Sequence, residues 1–196
     1  MKSDAGPPEG RAGGWDAEAV RARLGELALR DPEFTRFGSD EHRYRLTPPL
    51  PEAALRAFEE RYAVRLPDSY RTFLARVGGS GAGPQYGLLP LDEPLPVESE
   101  DAVDDLREQD RRPGFLAAPF PLCGEWRGSP AERFDEEAER ARVAGSLVIA
   151  ESGCGEFVRI VVTGPSAGQV WFDDMTWDHI RPGPGFRDWY LSWLLR

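Results

Sequence analysis

Lysine is all but missing from this chain of 196 residues: Lys2 is its single copy, and the remaining basic side chains are arginines. Histidine and cysteine occur twice each, as His42 and His179 and as Cys123 and Cys154. Each scarcity excludes a chemistry. A phosphate-binding P-loop ends in Lys-Ser or Lys-Thr, so the glycine-rich stretch Gly78–Gly87 (GGSGAGPQYG) is not one. Nor does it have the Rossmann arrangement, because a helical segment rather than a strand precedes it; it reads as a structural turn. A serine or cysteine nucleophile needs a histidine to take its proton, and neither histidine lies in a recognisable motif. Ser152-Gly153-Cys154-Gly155 lacks the G-x-S-x-G pattern of a nucleophile elbow and reads as a β-turn with a buried cysteine. The two cysteines form no C-x-x-C pair, as expected of structural thiols in a reducing cytoplasm. No apolar run approaches the ~20 residues of a membrane span. Residues 1–14 hold no apolar signal core and read as a disordered leader. No segment repeats.

What is abundant is acid. Asp and Glu number 34 against 24 Lys and Arg, a formal charge of −10. That excess argues against nucleic acid, whose binding requires positive charge to displace phosphate counterions. It argues equally against an anionic membrane surface. It favours a basic protein partner and fast, salt-sensitive association. The length fits one domain, residues 15–196, large enough to fold without disulfides or a structural metal. The expected location is cytoplasmic.

Hydrophobic spacing supplies the elements. Asp16 is placed to cap a helix to about Arg30, with Val20, Leu24 and Leu27 on one side. A short strand is expected around Arg43–Leu46. Pro51 suits the first turn of a second helix carrying Leu55, Phe58 and Tyr62. Leu66-Pro67-Asp68 stops that segment and caps a third, in which Tyr70, Phe73, Leu74 and Val77 share one face. Gly78 and Gly79 are expected to end it with positive φ. Residues 92–144 read as a polar insertion. It holds the acidic run Glu98–Asp110, a proline-broken apolar piece at Phe115–Leu122 and an exposed helix at Ala131–Ala144. Ser146–Glu151, Phe157–Thr163 and Gln169–Phe172 are β-branched or aromatic runs with short connections, hence antiparallel strands. Phe186–Leu195 closes the chain as a Trp-rich helix with Phe186, Trp189, Tyr190, Trp193 and Leu194 on one face. The pattern is α+β.

Leu66-Pro67-x-x-Tyr70-x-x-Phe73-Leu74, then Gly78-Gly79, then Gly83-Pro84-x-Tyr86-Gly87-Leu88, resembles the signature of the SUKH superfamily, which includes the fungal Smi/Knr cell-wall regulators and many bacterial immunity proteins. The block from Gly145 through Cys154-Gly155 to Val170-Trp171 and the closing helix are similar to the second half of bacterial members. The resemblance covers roughly residues 45–91 and 145–195. It implies a single α+β domain with a mostly antiparallel sheet flanked by helices, and it implies no catalytic activity and no cofactor. Its implied partner is a protein, a cognate toxin of the polymorphic kind, often a nuclease or deaminase. The leader, the first helix and the insertion depart from the compact pattern of the family.

Beside that resemblance stand the charged clusters. Asp101, Asp104, Asp105 and Glu108 fall at i, i+3, i+4 and i+7, one side of a helix that would face a basic cleft. Trp126 and Trp177 lie in polar segments and are candidate aromatic anchors. Asp173 and Asp174, with Asp178 and His179, crowd one short loop. Lacking EF-hand spacing or H-E-x-x-H, they read as an acidic surface rather than a metal site. Pairs of carboxylates suited to glycoside hydrolysis are too many to sort without the fold. The expected function is that of a non-enzymatic immunity protein neutralising a basic, nuclease-type toxin. The alternatives are an interaction scaffold of the Smi/Knr type and a carboxylate- or metal-dependent hydrolase.

Overall fold

The computed structural model describes residues 14–92, 102–128 and 136–196. Residues 1–13 of the expected leader, Asp101 of the acidic run and the start of the helix expected at Ala131 lie outside them. The Asp16 carboxylate caps α1 (Ala17–Arg30) by accepting from the Ala19 N–H at 2.9 Å, and Val20, Leu24 and Leu27 are buried. A single turn, α2 (Ser39–His42), precedes α3 (Glu52–Tyr62), which opens behind Pro51 and buries Leu55, Phe58 and Tyr62. α4 (Asp68–Arg76) buries Tyr70, Phe73 and Leu74.

Two details differ from the expectation. Pro67 takes the N-cap position of α4, and Asp68 stands in the first turn, where its charge suits the helix dipole. Gly78 and Gly79 do not supply positive φ; that falls to Gly81 at 97° and Gly87 at 94°. What Gly78 and Gly79 supply is room. A Cβ on Gly78 would lie 2.8 Å from that of Leu46, and one on Gly79 would lie 3.1 Å from the Pro48 carbonyl oxygen. The loop is thereby drawn against residues 46–48. A row of backbone bridges, Leu46 to Gly81 to Leu88 to Ala150, then carries it to the sheet. The strand expected at Arg43–Leu46 is reduced to that one bridge, because the backbone at Arg43 and Tyr44 turns left-handed.

Between the glycine loop and the C-terminus come α5 (Ala102–Asp110), β1 (Trp126–Arg127), α6 (Glu136–Arg142), β2 (Ser146–Gly153), β3 (Glu156–Val161), β4 (Gln169–Asp174), β5 (His179–Gly185) and α7 (Phe186–Leu194). The strands form one antiparallel sheet in the order β1-β5-β4-β3-β2. β2 and β3 are joined through Cys154 and Gly155, at φ 53° and 78°, the two positive values a type I′ hairpin turn requires. That position corrects the expectation of buried thiols. At the hairpin tip Cys154 projects past the sheet and is exposed, and Cys123 is exposed and free as well. β5 gave no strand signal, because its sequence HIRPGPG contains two prolines. It tolerates them because β1 pairs with it only at His179 and Ile180, so Pro182 and Pro184 lie where no second neighbour needs an N–H. Phe115–Leu122 forms no strand; Phe120 instead donates its N–H to the Thr163 carbonyl at 2.8 Å.

Both faces of the sheet are covered. Leu147, Ile149, Val158, Ile160 and Val170 face α1, α3, α4 and α7 in the main core. There Trp15 lies edge-on to Phe73, Phe186 and Tyr190, and the Tyr190 hydroxyl ties α7 to the glycine loop by donating to the Ala82 carbonyl at 2.9 Å. On the other face Val148, Phe157, Val161, Trp171 and Ile180 lie under Val103 and Leu106 of α5, Phe120 and Val143. Residues from the expected polar insertion therefore form the second cover. This double burial is why β2 and β3 read as unbroken apolar runs rather than alternating ones. The fold is α+β, as expected.

Candidate functional site

In the middle of the second face sits a charge. Arg159 of β3 is fully buried; its Nε donates to Asp173 Oδ2 at 2.7 Å and its Nη1 to Asp110 Oδ1 at 2.9 Å. The other oxygen of Asp110, the last residue of α5, accepts from the Val148 N–H at 2.7 Å. Burial works against the charge on Arg159, but the two carboxylates outweigh it and hold its pKa above the ordinary arginine value. The three residues stitch α5 onto β2, β3 and β4.

Beside this triad α5, α6, β1 and the β4–β5 hairpin leave a cleft of about 400 Å³. Its walls are carboxylate-rich: Asp105 from α5, Glu139 from α6, and Asp173, Asp174 and Asp178 from the hairpin. Arg140 and Arg142 face them from α6, and the Arg142 guanidinium stacks on the Trp126 ring, 3.5 Å from its centroid. Near the mouth His179 Nε2 lies 2.8 Å from Glu125 Oε1. Hydrogen bonds from His179 and Arg127 hold the Glu125 carboxyl below its ordinary pKa.

The residues expected to meet a partner are partly gathered here. Asp105, Trp126, Asp173 and Asp174 line the cleft. Asp173 is also bound to Arg159, and Asp174 Oδ1 accepts from the Thr176 and Trp177 N–H groups, shaping the hairpin turn. Asp104 turns to Arg107 at 3.3 Å and is mostly buried, so the acidic side of α5 is narrower than its spacing suggests. Glu108 is exposed. Trp177, 73% exposed, stands at the hairpin tip beside the exposed Met175. Leu66, Tyr70, Phe73 and Leu74 serve the main core instead, and Gly78, Gly79, Gly83, Pro84 and Gly87 are buried in the loop that leads to the sheet; Pro67 caps α4.

Arg159, Asp110 and Arg142 were not foreseen as part of this site. A lone arginine within the apolar run FVRIVV was the available signal, since a charge is buried only when partnered. Its partners stand 49 and 14 residues away, so only the fold reveals them. An exposed aromatic pair, Phe37 and Tyr86 with ring centroids 5.1 Å apart, flanks Gly153 at the end of β2. Among the described residues no group of three or more His, Cys, Asp or Glu is placed to hold a metal ion. Nor is any described helix long and apolar enough to cross a membrane.

No curated protein matches the chain. The profile of the SMI1 / KNR4 family (SUKH-1) matches residues 49–191, a stretch that includes α3, α4, the glycine loop, the whole sheet and both walls of the cleft. On that match, covering well over half of its length, the chain belongs to the SMI1 / KNR4 family (SUKH-1).

Proposed function

We propose that this SUKH-family protein is a non-enzymatic immunity protein that binds a basic toxin domain, of the nuclease kind, and blocks it inside the producing cell. The observation that carries the reading is the convergence of carboxylates on one cleft in a family member whose net charge is −10. A nuclease must be positive where it holds its substrate, so an inhibitor gains both on-rate and orientation from an opposite field. The exposed Trp177 and Met175 beside the cleft supply apolar anchor area that charge alone does not. The side chains that invite a catalytic reading have other employment: Asp173 and Asp110 hold Arg159, and His42 is buried against Tyr44 and Trp193.

Co-expression with the toxin domain encoded beside its gene should restore growth and yield a complex that survives size-exclusion chromatography. Association should slow about tenfold or more between low salt and 0.5 M NaCl, as screening removes the steering field. If every such toxin kills cells regardless and none co-purifies, the reading is wrong.

A further inference from the structure

Arg159 has five N–H donors, and the fold engages two of its three nitrogens: Nε on Asp173 and Nη1 on Asp110. Nη2 is buried without a hydrogen-bond partner among the described residues, and Arg159 is one of the residues that line the cleft. An unmade bond to a buried guanidinium is costly, and because Arg159 is among the lining residues, an acceptor that entered there would reach it once the side chains around it give way. Arg159 is already balanced by two carboxylates, and around the opening Asp105, Glu139, Asp174 and Asp178 outnumber Arg140 and Arg142, leaving the cleft negative. A carboxylate or phosphate ligand would therefore be repelled. A neutral carbonyl oxygen would not.

We infer that the cleft is a socket for a loop of the basic protein partner. A main-chain carbonyl of that loop accepts from Arg159 Nη2, and an arginine or lysine of the same loop lies between Asp105 on α5 and Asp174 at the end of β4. The volume, about 400 Å³, falls in the range of sites that enclose a small ligand or a residue or two. The assignment deepens the immunity reading and rests on it for the identity of the partner, but the socket's chemistry is testable without any toxin.

The probe is N-acetyl-arginine methylamide, which carries neutral carbonyls and one cation, titrated into the full chain. The Arg159 Nη2–H and Trp126 Nε1–H signals are followed by ¹⁵N-resolved NMR. N-acetyl-norleucine methylamide and N-acetyl-glutamate methylamide serve as the neutral and anionic controls. The arginine probe should move both signals and bind about tenfold more tightly than the norleucine probe, while the glutamate probe should leave them still. Asp105→Asn should cut the arginine affinity about three- to fivefold at unchanged melting temperature. Equal affinity of the arginine and norleucine probes, stronger binding of the glutamate probe, or an unmoved Arg159 signal would overturn the assignment. A toxin complex indifferent to Asp105→Asn would sink the socket and leave the immunity reading standing. Probe binding as described with no toxin complex would do the reverse.

Discussion

Arg159 shows how much a single side chain organises. Replacing Asp110 with Asn leaves a buried guanidinium with one carboxylate and weakens the tie between α5 and β2. Breaking a buried pair in this way costs about 3–5 kcal/mol, which urea denaturation would read directly. The isolated arginine was visible in the sequence as an anomaly, whereas its partners were not, because pairing across 49 residues is a property of the fold. Two other buried groups set the response to pH. His42 Nδ1 accepts the Tyr44 N–H at 3.0 Å, and burial, opposed by Asp40, lowers its pKa below the ordinary value near 6.5. The unfolded chain therefore takes up the proton first. Stability should be intact above about pH 6.5 and decline as pH falls toward 5; His42→Gln should flatten a plot of melting temperature against pH in that window. Asp31 acts lower. Burial pushes its carboxyl up, but hydrogen bonds from the Tyr44 hydroxyl at 2.7 Å, from Thr35 and from the Arg36 N–H prevail and hold its pKa well below the usual range. Its contribution is present above about pH 4 and is lost as pH falls further, a loss that Asp31→Asn should abolish along with part of the stability at neutral pH.

Among the elements, those whose signal is periodic were legible: α1 with its Asp16 cap, α3 behind Pro51, α4 and α7 with their apolar faces, and the three apolar strands. β5 was hidden by Pro182 and Pro184, and β1 is too short to have a period. The cleft depends on both, which is why carboxylates could be nominated from sequence but not assembled into a site. The glycine loop was recognised, yet the glycines that bend it are Gly81 and Gly87, not the pair that ends the helix. A Cβ on Gly81 would collide with the Arg45 carbonyl oxygen, so Gly81→Ala should cost about 1–3 kcal/mol in thermal or urea unfolding. Gly25, exposed in the middle of α1 with nothing within 4 Å of a built Cβ, supplies the contrast. Gly25→Ala should stabilise by about 0.5–1 kcal/mol, because only the cost of a helical glycine is removed.

For the molecule as a whole, the order of apolar segments foretold the α+β class and composition showed the excess of acid, but neither told where the acid would collect. Only the second cover of the sheet, built from α5, α6 and the loops between, turns scattered carboxylates into one wall. On the proposed function, Trp177→Ala should weaken the toxin complex by about 2 kcal/mol or more, measured by calorimetry, without moving the melting temperature, since Trp177 is exposed in the free protein. The margins of the sheet carry a separate consequence. Next to β2 the chain lays down Leu88 and Leu89, whose backbones bond across to Ile149 and Ala150; beyond β1 the rim of β5 is a proline stretch with few N–H groups to offer. A stray strand from a second copy would find one border already zipped and the other unable to answer it. Concentrated stocks should accordingly resist fibril formation, and replacing Pro182 and Pro184 with threonine should bring thioflavin-positive aggregates within reach.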